Sequence, residues 1–274
     1  MNKKLLIISL VALAAVSCGV TSPKFPKVKQ SGKTAIVAHR GFWNCKEGGF
    51  SENSIASLKA AQDFGLWGSE FDIHLTKDLQ VMVNHDNSIN GKKIEDHNFS
   101  DFDNDLLPNG EKRPTLDEYL VQGAKCKTTM LVIELKSCDT KEHEDILVDK
   151  TLAALKAHNI FSPDRVLFIS FSKHMCDRIA ADAPKFINQY LNGDIAPAQL
   201  AADGINGWDY HFNTVLDKHP EWVKEAHDLG MSTNIWTVND EERTKGAIAL
   251  GVDAITTNFP LMVRGILGDK ECTR

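Results

Sequence analysis

The most informative segment of the chain reads Ser69-Glu70-Phe71-Asp72-Ile73-His74. Successive side chains of a β-strand point to opposite faces, so Glu70, Asp72 and His74 share one face. The apolar Phe71 and Ile73 share the other face and can pack outward against helices, which directs the charged face into the interior of a barrel. Burying isolated carboxylates costs several kcal/mol unless they are paired or bind a cation. The segment therefore predicts a strand that carries reactive groups to the centre of the fold.

From residue 34 onward, short apolar segments alternate with helical patterns. The predicted strands are 34–39, 69–74, 80–84, 130–135, 165–171, 186–191, 208–212, 232–236 and 252–256. The predicted helices are 53–64, 115–124, 142–158, 173–183, 220–229 and 240–250. Such alternation is typical of parallel β-α units. Eight or nine strands without a break in composition favour an α/β fold of the (β/α)8 TIM-barrel type as a single domain, with the site at the strand ends.

The second and third predicted strands are too close together for a helical crossover, which takes about a dozen residues. We therefore expect a hairpin above the barrel mouth that turns at residues 77–80. This turn would place Val83 opposite His74 and His85 opposite Asp72. The hairpin would thus bring a histidine to the carboxylates of the neighbouring strand.

The next predicted strand repeats the polar pattern, because Glu134 and Lys136 share one of its faces. Glu134 would join Glu70 and Asp72 at the centre of the barrel. Carboxylates without a cysteine cluster are the hard oxygen ligands that one divalent cation, Mg²⁺ or Ca²⁺, prefers. The alternative is that the acids only form salt bridges with Arg40 and Lys136.

Two histidines lie beside these acids in the predicted fold. His39 ends the first strand and His85 follows the hairpin. A single histidine at a strand end is more often structural, but a pair beside an acid cluster favours catalysis, since imidazole titrates near neutrality and can accept or donate a proton. Arg40 and Lys136 supply the positive charge that a phosphate oxyanion needs.

The N-terminus has the pattern of a signal peptide, in which Lys3 and Lys4 precede an apolar segment over residues 5–16. That segment is too short to span a bilayer as a helix, which takes about 20 residues. Residues 15–18 resemble a bacterial lipobox, so Cys18 is predicted to be the lipidated first residue of the mature protein. The alternative is an ordinary signal peptide that is cut nearby.

The chain thus divides into a signal peptide (1–17), a lipid-anchored tether (18–33) and a barrel domain (34–274). The predicted location is outside the cytoplasm, anchored to a membrane through the lipid, on the periplasmic or cell-surface side. The formal net charge of −6 offers no basic surplus, so a nucleic-acid partner is not expected. In an oxidising compartment, Cys126 and Cys138 are candidates for a disulfide.

An ordered series of short motifs resembles the glycerophosphodiester phosphodiesterase family. The series is Ala38-His39-Arg40-Gly41, Glu52-Asn53, Glu70-x-Asp72 with Thr76-Lys77-Asp78, Asn84-His85-Asp86, Ile133-Glu134-Leu135-Lys136, Ile169-Ser170-Phe171, Trp236-Thr237-Val238-Asn239 and Gly251-Val252-Asp253. The resemblance is dense over residues 34–86 and continues to about residue 260.

The resemblance implies a (β/α)8 barrel that hydrolyses small-molecule glycerophosphodiesters to sn-glycerol 3-phosphate and an alcohol, as a metal-dependent phosphoric diester hydrolase. By match to the motifs, His39 and His85 would be the acid/base pair. The implied ligands of the divalent cation are Glu70, Asp72 and Glu134. The implied substrate-binding residues are Arg40, Lys136, Glu52, Asn53 and Trp236.

The chain departs from the family pattern at three places. Ser51 stands where proline is usual, and Asn258 stands where aspartate is common, which we interpret as a change at a distal contact. Residues 87–114 keep little of the usual segment and are predicted to form a solvated part of the rim. Substrate choice is the property that this last departure affects most.

Other functions are compatible with parts of the pattern. Lysophospholipase D-like or other phosphodiester hydrolysis would use the same site. A barrel isomerase or aldolase acting on sugar phosphates would not explain the paired His-Arg and His-Asp motifs. A ligand-binding lipoprotein without turnover would not explain why both histidines and all of the acids are present.

Overall fold

The computed structural model describes residues 34–268. The predictions made for the signal peptide, the tether and Cys18 lie outside these residues and stay predictions. Within the described part of the chain, no helix is both long and apolar enough to cross a membrane. Cys126 and Cys138 are free thiols, so the disulfide considered for them is not formed.

A closed barrel of eight parallel strands forms the centre of the described chain, as the alternation of strands and helices predicted. The strands in chain order are β1 (Ala35–Ala38), β2 (Gly68–Leu75), β3 (Val81–Val83), β4 (Ser88–Ile89), β5 (Lys92–Lys93), β6 (Met130–Leu135), β7 (Val166–Ser170), β8 (Ile187–Tyr190), β9 (Gly207–His211), β10 (Ser232–Trp236) and β11 (Ala254–Thr257). Around the barrel the order is β1-β11-β10-β9-β8-β7-β6-β2, and pairing of β2 with β1 closes it. β3 pairs antiparallel with β2, and β4 and β5 form a separate ribbon.

Helices follow the barrel strands and surround them. They are α1 (Ile55–Asp63), α2 (Leu116–Lys125), α3 (Lys141–Ala157), α4 (Lys173–Asp182), α5 (Pro197–Ala202), α6 (Glu221–Asp228), α7 (Glu241–Leu250) and α8 (Pro260–Ile266). Side-chain oxygens of Ser54, Thr115 and Thr140 cap the first turns of α1, α2 and α3, which satisfies backbone N–H groups that have no partner within the helix. Only α5 and α8 were not predicted, because helices of six and seven residues are too short to show a helical period.

The strand alternation separates two apolar layers. Phe71 and Ile73 of β2 are fully buried in a cluster with residues of α2 and α3, and the ring of Phe71 lies 4.4 Å from that of Tyr119. A smaller cluster inside the barrel includes Val37 and Val132. Because Val132 has the same parity as Glu134, the acids of β2 and β6 continue this inner layer towards the mouth.

The hairpin forms as predicted, but the predicted register was wrong by one residue. Met82, not Val83, lies opposite His74, and the N–H of Asn84 donates to the carbonyl of Asp72 at 3.1 Å. The cause is the turn, in which Leu79 adopts a left-handed φ of 60° and Thr76 closes the loop on Gln80. Thr76 therefore faces Gln80, and the turn holds the three residues 77–79, one fewer than the four that were predicted.

The rim segment after β3 is more ordered than its polar sequence indicated. Met82, Ile89, Ile94 and Phe102 form a small apolar cluster of their own. The Glu111 carboxylate accepts from the backbone N–H groups of Ile55 and Ala56, which ties the segment to the first turn of α1. The segment is thus fixed to the barrel at the edge of its mouth.

Candidate active site

A pocket of about 140 Å³ opens at the carboxyl ends of the barrel strands. Its lining residues are His39, Arg40, Glu70, His85, Glu134, Lys136, Ile169, Phe171, Leu191, Asp209, Trp236, Thr237 and Thr256. Most of the residues that the sequence proposed for catalysis or binding therefore face one small space. Asp72, Glu52 and Asn53 do not line the pocket, but each contacts a residue that does.

The carboxylates of Glu70, Asp72 and Glu134 form a buried cluster, with one oxygen of each within 4.8 Å of the others. Asp72 and Glu134 are register partners on β2 and β6. Oε2 of Glu70 accepts from the backbone N–H of Arg40 at 2.6 Å, whereas its Oε1 has no hydrogen-bond partner among the described residues. Such a set of converging hard oxygens fits a divalent cation, whose ligands lie about 2.0–2.6 Å away.

Burial and neighbouring charges give the three carboxyl groups different pKa values. Burial, followed by the charges of Asp72 and Glu134, raises the pKa of Glu70 well above its ordinary value. Burial and Asp72 raise the pKa of Glu134 to about 7. Burial acts on Asp72 too, but the Lys136 ammonium, His85 and the hydrogen bonds from Lys136 and Asn53 outweigh it and lower its pKa to about 2. Asp72 is therefore the carboxylate whose charge the protein itself compensates.

Lys136 and Arg40 form salt bridges with the acids and also face the pocket. Nζ of Lys136 lies 2.7 Å from Oδ1 of Asp72 and forms an ion pair at 2.6 Å with Oε1 of Glu134. Burial lowers the pKa of Lys136, but Asp72 and Glu134 raise it further, so the net shift is upward. Nη1 of Arg40 donates to Glu52 at 2.9 Å. Both cations also line the pocket, so salt-bridge formation and phosphate binding are compatible.

Asn53 supports the cluster from behind. Its Nδ2 donates to Oδ2 of Asp72 at 2.8 Å, and its Oδ1 accepts from the Asp72 backbone N–H at 3.2 Å. The residue has a left-handed φ of 55°, which asparagine tolerates better than most residues. The N–H of Asn53 also donates to the carbonyl of Arg40, so it fixes the loop after β1. Asn53 thus orients Asp72, and Glu52 orients Arg40.

His39 is held by Asn258. Nδ1 of His39 lies 2.7 Å from Oδ1 of Asn258, and because an amide oxygen only accepts, Nδ1 carries the proton and Nε2 is the free acceptor. Burial and the charge of Arg40 lower the pKa of His39 to about 4. Our interpretation of Asn258 as a distal contact was wrong, because Asn258 directly orients a candidate catalytic histidine. The two residues are 219 positions apart in the sequence, so the sequence did not indicate this contact.

His85 is oriented on two sides. Its Nδ1 donates to Oδ1 of Asp86 at 2.7 Å, which leaves Nε2 available. Nε2 of the buried His74 donates to the backbone carbonyl of His85 at 3.0 Å. The side chain of His85 therefore has a carboxylate partner, and its main chain is bonded to β2.

Trp236 forms part of an aromatic side of the pocket. Its Nε1 donates to the backbone carbonyl of Asp209 at 2.9 Å, and its ring meets that of Phe171 edge to face at 5.7 Å. Phe171 remains 37% exposed, so the aromatic side reaches the solvent at the mouth.

Asp209 was missed by the sequence analysis. It is 1% exposed and lines the pocket from β9. The alternation rule would have found it, since Trp208 and Tyr210 pack in the outer layer and leave Asp209 facing inward. Its isolation from any recognised motif is the reason that it was not singled out.

The profile of the glycerophosphoryl diester phosphodiesterase family matches residues 39–262. The chain belongs to this family. A glycerophosphodiester phosphodiesterase from Caldanaerobacter subterraneus is 28% identical over 244 residues, which are 83% of this chain and 95% of that protein. One from Bacillus altitudinis is 28% identical over 250 residues, 83% of this chain and 95% of its own length.

Solved structures of this family have the same barrel. A glycerophosphodiester phosphodiesterase from Parabacteroides distasonis superposes with a TM-score of 0.83 at 39% identity, covering 88% of this chain and 99% of that one. A phosphodiesterase from Oleispira antarctica, solved with its product sn-glycerol-3-phosphate, superposes with a TM-score of 0.72 at 21% identity, covering 86% of this chain and 97% of that one. The protein is accordingly a phosphodiesterase with a TIM-barrel fold.

Proposed function

We propose that the protein hydrolyses glycerophosphodiesters to sn-glycerol 3-phosphate and an alcohol, with His39 and His85 as the acid/base pair and one Mg²⁺ or Ca²⁺ ion at the carboxylate cluster. The observation that carries this proposal is that one pocket is lined by both histidines, by two acids of the cluster and by the basic residues Arg40 and Lys136. The product named for the Oleispira antarctica enzyme supports the same reaction.

The hydrogen bonds favour distinct roles for the histidines. His39 is neutral near pH 7, because its pKa is about 4, and its unprotonated Nε2 can accept the proton of the nucleophile. His85 has the Asp86 carboxylate at Nδ1, which can balance an imidazolium charge, so its Nε2 can protonate the departing alkoxide. The nucleophile is either water or a neighbouring hydroxyl of the substrate itself.

The remaining groups would bind and neutralise the phosphodiester. Glu70, Asp72 and Glu134 would hold the cation, which would supply Lewis-acid polarisation of a phosphate oxygen. Arg40 and Lys136 line the pocket and offer N–H donors to the anionic oxygens. Asn53 and Glu52 would keep Asp72 and Arg40 in position during binding.

The test is release of glycerol 3-phosphate from a panel of glycerophosphodiesters by the purified protein with Mg²⁺, Ca²⁺ or EDTA. We expect release with a divalent cation and none with EDTA. His39→Ala should lower turnover roughly 10²–10⁴-fold, the usual contribution of general acid/base catalysis. The matched control is His219→Gln, a histidine that stacks on Trp222 and does not line the pocket. Unchanged turnover in His39→Ala would contradict the assigned role.

A lysophospholipase D-like activity is the second candidate, and the exposed aromatic side of the mouth favours it. Phe171 and Trp236 present apolar surface where a bulky or acylated part of a substrate would leave the pocket. Comparing lysophosphatidylcholine with glycerophosphocholine at equal concentration separates the two activities. Faster choline release from the lysolipid, lost in Phe171→Ser, would establish this candidate.

Membrane attachment is proposed on the sequence of the N-terminus. Lys3 and Lys4, the apolar segment and Cys18 support export and lipidation, with the barrel domain held at a periplasmic or cell-surface membrane. Metabolic labelling with a radioactive fatty acid tests this: the wild-type protein should carry label and Cys18→Ala should not. Label in both proteins, or in neither, would contradict lipidation at Cys18.

A further inference from the structure

Asp209 is a buried acid in the active-site pocket that neither the acid/base pair nor the carboxylate cluster uses. It lies on β9, across the pocket lining from β2 and β6. Among the described residues, no lysine, arginine or histidine forms a salt bridge with its carboxyl group. An acid in such a position needs an explanation, because buried carboxylates are normally paired.

Among the described residues, one oxygen of the Asp209 carboxyl group has a hydrogen-bond donor and the other has none. Nδ2 of Asn234 donates to Oδ2 of Asp209 at 3.1 Å and to Oγ1 of Thr256 at 2.9 Å, so the amide is fixed by both neighbours. Trp236 holds the Asp209 backbone carbonyl. Oδ1 of Asp209, in contrast, is buried and has no partner among the described residues. The barrel thus presents one unsatisfied carboxyl oxygen at a set place in the pocket lining.

The chemistry of a matching ligand group follows from the surroundings. Glu134 lines the same pocket, so its charge disfavours a second anionic group beside Asp209. The pocket lining on this side also includes Trp236, Thr237 and Thr256. A neutral hydroxyl on a small carbon skeleton satisfies these conditions, because it can donate to Oδ1 without adding charge.

We propose that Asp209 is a specificity-determining residue that hydrogen-bonds a hydroxyl group of the glycerol moiety of the bound phosphodiester. This assignment rests on the proposed glycerophosphodiesterase function. The phosphate would lie towards Arg40 and Lys136, and the glycerol carbons towards the side formed by Asp209 and Trp236. A site built to bond a hydroxyl discriminates strongly against analogues that lack it, since its own polar group is then left unpaired.

The test compares two ligands with the same phosphate and the same number of carbons. Calorimetry on the full protein with Mg²⁺ or Ca²⁺ gives Kd for glycerol 3-phosphate and for propyl phosphate, which has no hydroxyl groups on its chain. We expect Asp209→Leu to weaken glycerol 3-phosphate binding roughly tenfold, the effect of one lost buried hydrogen bond, and to change propyl phosphate binding less than about twofold. Asp209→Asn keeps a hydrogen-bonding group and should lie between wild type and Asp209→Leu.

Controls keep the outcomes separable. Asp194→Asn changes an exposed acid in the loop after β8 that does not line the pocket, and it should leave both affinities unchanged. Thermal unfolding of each variant checks folding, and Asp209→Asn serves if Asp209→Leu does not fold. Equal losses for both ligands, or no loss for either, would overturn the assignment.

Two further measurements separate the role of Asp209 from the proposed hydrolase function and from an alternative role in binding the alcohol group. Failure of the wild-type protein to release glycerol 3-phosphate from any diester would refute the proposed function, whatever the Asp209 variants bind. The rival is that Asp209 binds a cationic alcohol group such as choline. In that case Asp209→Asn would lower kcat/KM for glycerophosphocholine but not for glycerophosphoinositol, whereas a glycerol contact affects both alike.

Discussion

Burial is the main determinant of the pKa of His39, because its hydrogen-bond partner is a neutral amide. Asn258 adds no charge to offset burial and Arg40, which lower the pKa of His39 to about 4. We expect a carboxylate in Asn258→Asp to raise that pKa towards its ordinary value, since a nearby negative charge favours the imidazolium. NMR titration of ¹⁵N-labelled histidines in EDTA measures it. A pKa near 6.5 in wild type, or no rise in the variant, would contradict this account.

A second prediction concerns Asn53, which orients Asp72 through two hydrogen bonds. Residues behind metal ligands typically contribute about 10–100-fold to metal affinity, so Asn53→Gly should weaken Ca²⁺ binding by roughly that factor. Glycine is the suitable replacement because it keeps the left-handed backbone of this position accessible. Calorimetric titration with Ca²⁺ gives the affinity, and the exposed Asn104→Gly provides the control. Equal affinities in variant and wild type would show that Asp72 needs no support.

At the scale of elements, the β2–β3 hairpin positions His85 through His74. Removing that donor in His74→Phe should lower kcat roughly tenfold with a smaller change in KM, because the substrate-binding residues are untouched. Asp86 should keep the imidazole in place in the variant, so a partial loss is expected. Steady-state kinetics across the glycerophosphodiester panel measure both constants. A rise in KM at constant kcat would instead place His74 in substrate binding.

The buried His74 should also make the free energy of unfolding depend on pH. Its folded-state pKa is about 4, below the ordinary 6.5, because of burial. The unfolded chain therefore binds the proton more readily, and the free energy of unfolding falls as pH drops from 6.5 towards 4. A single such group contributes about 2 kcal/mol between pH 6.5 and 4.5. Urea unfolding in EDTA at pH 6.5 and 4.5 should show a smaller pH slope in His74→Phe than in wild type, with a total difference of about 2 kcal/mol over this range. Equal slopes would mean that His74 titrates normally.

The elements also show what a sequence can predict. Strand alternation at Glu70, Asp72 and Glu134 located the buried cluster, because a side-chain period of two is local information. The hairpin register failed by one residue, because the left-handed Leu79 turn depends on hydrogen bonds of Thr76. The role of Asn258 could not be assigned, since its partner His39 lies 219 residues away and only pairing of the first and last barrel strands brings the two together. Alternation places Asp209 on the inner face, but its bond to Asn234 depends on the register between β9 and β10, which the sequence does not give.

For the whole molecule, the carboxylate cluster opposes folding wherever no cation compensates its charge. Glu70 and Glu134 have raised pKa values from burial and mutual repulsion, so ionising them weakens the metal-free barrel as pH rises. Such a site favours function over stability. A cation that binds only the folded state would offset this loss of stability, by about 2.7 kcal/mol when its concentration is 100 times Kd.

The last prediction uses Glu134→Gln to test whether the carboxylate cluster opposes folding. In EDTA at pH 8 the variant should be at least as stable as wild type, because it removes one of the repelling charges at the β2–β6 pair. Saturating Ca²⁺ should then stabilise wild type by about 2–3 kcal/mol and the variant much less, since a ligand has been lost. Urea unfolding with and without Ca²⁺ gives both differences, and the exposed Glu142→Gln is the matched control. If Glu134→Gln gained as much from Ca²⁺ as wild type does, the cation would bind elsewhere. If the variant were instead severely destabilised in EDTA, the ion pair of Glu134 with Lys136 would outweigh the repulsion within the cluster.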